Sequence, residues 1–117
     1  MRARELKAFC LEFNDAVEEF PFGPETSVFK VAGKMFALSA LDGSPLTVNL
    51  KCEPDIAVGL RADHPEIVPG WHMNKRHWNT VTVDDLPDEL VHELIEDSYD
   101  LVVAGLPKAT RLRLDRP

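Results

Sequence analysis

The spacing of apolar residues changes twice along this chain, and any fold must satisfy all three regimes at once. Near the start, Leu6, Phe9, Cys10, Phe13 and Val17 recur every three or four residues, with Glu5, Glu12, Asp15 and Glu18 on the other faces. That is a single buried helical stripe, expected over about residues 2–15. Pro21, Gly23 and Pro24 stop any continuation, because proline lacks an amide hydrogen and restricts its predecessor. From Ser27 the period falls to two. Phe29 and Val31 alternate with Val28 and Lys30, Ala32-Gly33-Lys34 allows a tight reversal, and Met35 to Leu41 supplies a partner strand. Asp42-Gly43-Ser44-Pro45 turns the chain again, and Leu46, Val48 and Leu50 then alternate with Thr47, Asn49 and Lys51 in a third strand. Glu53-Pro54-Asp55 opens a short helix that His64-Pro65 stops, Pro69-Gly70 makes a turn, and Trp78 to Val83 alternates as a fourth strand. The helical period then returns. Asp84-Asp85-Leu86-Pro87-Asp88-Glu89 combines a capping oxygen, an early proline and acids where the helix dipole is positive. Leu90, Val91, Leu94, Ile95, Leu101 and Val102 form its stripe, and Gly105-Leu106-Pro107 ends it.

Helix, short-turned strands and helix predict an α+β fold, an antiparallel meander covered on one face by its N- and C-terminal helices. The 117 residues suit one domain over residues 1–107, followed by a basic C-terminal tail at 108–117 in which Lys108, Arg111, Arg113 and Arg116 are expected to be partly mobile. Apolar residues make up 44% of the chain, enough for a core without disulfides or a structural metal. Cys10 and Cys52 lack a second cysteine or histidine at ligand spacing and read as reduced, structural thiols. No run of eighteen apolar residues and no signal-peptide pattern is present, so the expectation is a cytoplasmic monomer without a membrane partner.

A net charge of −7 argues against bulk electrostatic attachment to nucleic acid, but the charge is unevenly spread. Ile67 to Val83 contains no acid, whereas Asp84 to Asp100 contains eight acids and no base. The acid-free stretch also holds the densest candidate site, Trp71, His72, Lys75, Arg76, His77, Trp78 and Asn79. Stacking surfaces interleaved with cations are what holds a base and a phosphate together. An equally plain reading packs both tryptophans over the sheet edge and pairs Lys75 and Arg76 with the acids that follow. By strand parity, Lys30, Asn49, Lys51, Trp78 and Thr80 fall on the sheet face away from the helices, as a half-open cationic platform would require. No catalytic residues stand out: there is no nucleophile elbow, no phosphate loop, and the acids lie as a solvated helix face. The closest histidines, His72 and His77, are badly spaced for a shared ion, so no metal and no cofactor is assigned.

Several blocks recur together in a known family. Pro21-Phe22-Gly23-Pro24-Glu25-Thr26, Phe29-Lys30-Val31, Lys34-Met35-Phe36-Ala37, Asn49-Leu50-Lys51-Cys52, Pro69 through Val81 and Ser98-Tyr99-Asp100-Leu101-Val102-Val103 resemble the MmcQ/YjbR family, with His72-Met73-Asn74-Lys75-Arg76-His77-Trp78 the most specific. The resemblance implies an α/β sandwich similar to bacterial frataxin-like CyaY. It also implies DNA binding, carried onto Lys75, Arg76, His77, Trp78 and Asn79, with Lys30, Asn49 and Lys51 as secondary positions. Frataxins bind iron through an acidic helix, but no motif here matches that helix residue by residue. The alternative expectation is a non-catalytic adaptor, in which the tryptophans and histidines line a pocket for an anionic or aromatic small molecule or meet a protein partner.

Overall fold

The computed structural model describes residues 1–114. Its elements are α1 (Ala3–Leu11), β1 (Val17–Glu19), β2 (Ser27–Val31), β3 (Lys34–Ser39), β4 (Thr47–Lys51), α2 (Pro54–Asp63), β5 (Ile67–Pro69), β6 (Trp78–Thr82), α3 (Asp88–Ala104) and α4 (Lys108–Leu114). The six strands form one antiparallel sheet in the order β1-β2-β3-β4-β6-β5. The expected meander is therefore present, and α2 carries the chain past β6 so that β5 closes the far edge. Ala32 and Gly33 link β2 to β3 with φ angles of 50° and 79°, the paired positive values of a tight hairpin turn.

Three sequence expectations are corrected. The first helix ends at Leu11 rather than near residue 15, the chain turns through Asp15 at φ 60°, and Val17 opens edge strand β1 instead of closing the helical stripe. Ile67 to Pro69, where the sequence offers only the Pro69-Gly70 turn and no strand, pairs with β6. Neither three-residue edge strand is long enough to show a period of its own. The basic stretch after Pro107 is a helix as far as Leu114, which is buried. Asn14 Nδ2 donates to the Leu114 carbonyl at 3.4 Å and Arg113 pairs with Asp15, so α4 is tied back to the turn after α1. Arg116 lies outside the described residues.

Residues directly opposite each other in an antiparallel pair share a face, which fixes what the sheet shows to either side. Phe29 opposite Ala37, Ala37 opposite Leu50, and Val48 opposite Val81 opposite Ile67 make the covered face. Leu6 and Cys10 of α1 and Val91, Leu94, Ile95, Tyr99 and Val102 of α3 bury against it. Each large aliphatic so buried contributes roughly 1.5–3 kcal/mol. Tyr99 anchors the packing: its ring stacks on Phe13 with centroids 4.6 Å apart and meets Phe36 edge-on at 5.3 Å. Its hydroxyl donates to the Asn14 carbonyl at 2.7 Å.

Both cysteines are free thiols in different surroundings. Burial pushes the Cys10 thiol up to about 12, while Cys52, half-buried, is raised by burial and then by nearby Asp97. The thiolate is the reactive form. Iodoacetamide at pH 8 should therefore alkylate Cys52 slowly and spare Cys10 in the folded protein. Intact-mass analysis showing equal labelling of both would contradict this burial pattern.

Candidate functional site

The segment between β5 and β6 is a framed loop. Gly70 and Trp78 close its base, with the Gly70 amide donating to the Trp78 carbonyl at 2.8 Å. A Cβ at Gly70 would lie 2.8 Å from Trp78 Cβ, 2.9 Å from Met73 Cβ and 3.0 Å from the Trp78 carbonyl, so only glycine fits there. Asn74 shapes the far side: its carbonyl accepts from the His77 and Trp78 amides at 3.2 and 2.9 Å, and its Oδ1 accepts from the Arg76 amide at 3.0 Å. An asparagine bonding to backbone two residues on is a favoured way to build such a turn. The Trp71 amide donates to Thr80 Oγ1 at 2.9 Å, and Thr80 Oγ1 donates in turn to Asn49 Oδ1.

Arg61, on α2, fastens this loop to the domain and was not singled out from sequence. Its Nε donates to Asn79 Oδ1 at 2.8 Å and its Nη2 to the Lys75 carbonyl at 2.6 Å. A planar guanidinium can make both bonds at once because its donors are held in a fixed fork.

The sequence-assigned residues separate into groups. Trp71 is 69% exposed, with its ring edge-on to His72 at 5.3 Å, and His72 holds a positive φ of 59°. Lys75 and Arg76 are exposed with them, and His77 is half-buried behind. The Lys75 ammonium reaches back to the Gly70 carbonyl at 3.1 Å. Trp78 and Asn79 turn inward, at 9% and 2% exposure. Asn79 pairs with Leu50 and so lies on the helix-covered face, with Arg61; Trp78 pairs with Lys51 on the opposite face. Asn49 and Thr80 pair there too, so the parity expected for Asn49, Lys51, Trp78 and Thr80 holds in the register. Lys30 lies on β2, three strand positions from β6 or roughly 14 Å. There its ammonium meets Glu19 at 2.9 Å. The loop brings Trp71, His72, Lys75 and Arg76 together; it does not gather Asn79 or Lys30.

No ion pair joins Lys75 or Arg76 to the acids of α3 among the described residues. Those acids crowd one another instead. The Asp97 carboxyl is held above the usual carboxylate range by burial and then by Glu93, Asp100 and Glu96. Among the described residues, no three His, Cys, Asp or Glu side chains gather as a metal site, and no helix is long and apolar enough to cross a membrane.

The same framework is found in related proteins. Escherichia coli O157:H7 YbdF is 44% identical over 97 residues, covering 81% of this chain and 79% of that protein. YjbR of E. coli strain K12 is 32% identical over 112 residues, 95% of each chain. The crystal structure of Deinococcus radiodurans DR2400, a DUF419 domain, is similar at a TM-score of 0.91 and 42% identity, covering 99% of this chain and 89% of that one. A Pseudomonas syringae protein follows at a TM-score of 0.75 and 29% identity, over 86% of this chain and 98% of that one. With the YjbR family model matching residues 11–101, from the end of α1 through the loop to α3, this chain belongs to the YjbR family.

Proposed function

We propose that this protein binds DNA through the loop at residues 71–76, with Trp71 stacking on an unpaired base and Arg76 and Lys75 meeting phosphates. The observation that carries the reading is the display of Trp71. Its indole is 69% exposed, yet the backbone beneath it is fixed by the Thr80 hydroxyl and the glycine contact at residue 70. Burying that ring against a partner recovers apolar area at little cost in loop ordering. Arg76 is exposed beside it, without an ion pair among the described residues. A ring on a protruding loop reaches bases that are already unstacked, so single-stranded DNA is the favoured form.

The test is fluorescence anisotropy with labelled single-stranded and duplex oligonucleotides. Trp71→Ala should weaken single-strand binding roughly 5- to 150-fold, the usual worth of one stacked base. With two phosphate contacts, raising salt from about 50 to about 200 mM should cost about 7-fold, and Lys75→Ala with Arg76→Ala should flatten that dependence. Equal binding by wild type and Trp71→Ala, or none at low salt, would refute the reading.

A further inference from the structure

The β3–β4 ladder is short. The strands pair only at Ala37 with Leu50 and Leu38 with Asn49. At the next rung the Lys51 amide donates to Ser98 Oγ at 2.9 Å, and Ser98 Oγ donates to the Phe36 carbonyl at 2.6 Å. A hydroxyl from α3 thus stands where a direct strand-to-strand bond would be, and the pairing ends there. Beside this end of the ladder lies a cleft of about 330 Å³ lined by Lys34, Met35, Lys51, Trp78, Leu101 and Leu106. That volume is at the lower end for small-molecule sites.

The lining chemistry is specific. Two lysines and no acid line the cleft, in a chain of net charge −7. Neither lysine has an ion pair among the described residues, and the α3 acids Asp97 and Asp100 line a separate groove that also reaches Leu101. Trp78 is a fixed wall, since its amide and carbonyl are both bonded into the loop base. We infer that the cleft binds a small organic anion with a planar apolar body, its acid group between Lys34 and Lys51 and its ring against Trp78, Leu101 and Leu106. This site is separate from the Trp71 loop and stands or falls independently of DNA binding.

The probe is 2-naphthoate, titrated calorimetrically against the full chain, with neutral 2-naphthylmethanol as the uncharged match. The naphthoate should bind saturably below about 1 mM and at least about 5-fold tighter than the alcohol. Lys34→Gln and Lys51→Gln, changes at exposed or half-buried ammonium groups, should each weaken it about 3- to 10-fold. Met35→Trp, filling the cleft from its β3 wall, should abolish it, and Trp71→Ala should leave it unchanged. No saturable naphthoate binding, equal affinity for the alcohol, or indifference to both lysine changes would each overturn the assignment.

Discussion

Ser98→Ala is expected to lower the unfolding free energy by about 2–5 kcal/mol, far more than removal of one oxygen from a surface serine would. Ser98 is fully buried, and its hydroxyl is the link between the Lys51 amide and the Phe36 carbonyl at 2.9 and 2.6 Å. Without it a part-buried donor and a buried acceptor each lose their partner, at about 1–3 kcal/mol apiece. For a chain of 117 residues the midpoint of thermal unfolding should fall by roughly 8–20 °C. Denaturant unfolding measures the loss, and amide exchange at Lys51 reports where it occurs. A loss under about 1 kcal/mol would mean that β3 and β4 close and bond directly. That outcome would also narrow the cleft at Lys51, so 2-naphthoate affinity should fall in the same variant.

The elements legible in the sequence were those long enough to repeat. Phe29 and Val31, then Val48 and Leu50, then Leu90 to Val102 state their periods over five or more residues, and the structure has β2, β4 and α3 there. β1 and β5 each run three residues, and their strand character comes from the neighbour that they pair with. Val17 illustrates the ambiguity: it is four residues after Phe13, yet lies opposite Lys30 on an edge. The helix could not reach it because the chain turns at Asp15 and Tyr99 takes the Asn14 carbonyl. That bond crosses most of the sequence and leaves no local pattern.

The candidate site was legible as a segment and not as an arrangement. Density of tryptophan, histidine and cations located residues 71–79, but adjacent residues in β6 point to opposite faces, which separates Trp78 from Asn79. Lys34 and Lys51 come from different strands and line one cleft beside the Ser98 bridge. Nothing in the spacing of two lysines announces a common cleft. Arg61 was hidden for a similar reason, since a basic residue in the last turn of a helix is ordinarily explained by the helix dipole.

Arg61→Ala should therefore damage the loop proposed to bind DNA without removing any residue proposed to touch DNA. The guanidinium holds the buried Asn79 side chain at 2.8 Å and the Lys75 carbonyl at 2.6 Å, tying α2, β6 and the loop together. Hydrogen bonds to a charged group contribute about 1.5–3 kcal/mol each, and the bond to the Lys75 carbonyl is solvent-exposed and counts for less, so a stability loss of about 2–4 kcal/mol is expected. Lys75 and Arg76 would then be presented by a looser backbone, and ordering it again on binding should cost affinity for single-stranded DNA. Arg61→Lys distinguishes this account from simple loss of positive charge. It keeps the charge but replaces a planar fork with one ammonium, which cannot reproduce both bonds in the same geometry. Arg61→Lys should accordingly fall close to Arg61→Ala in thermal stability and in faster amide exchange from His72 to His77. Full recovery by lysine of both stability and DNA affinity would show that Arg61 acts through charge alone, and that the loop needs no fastening to α2.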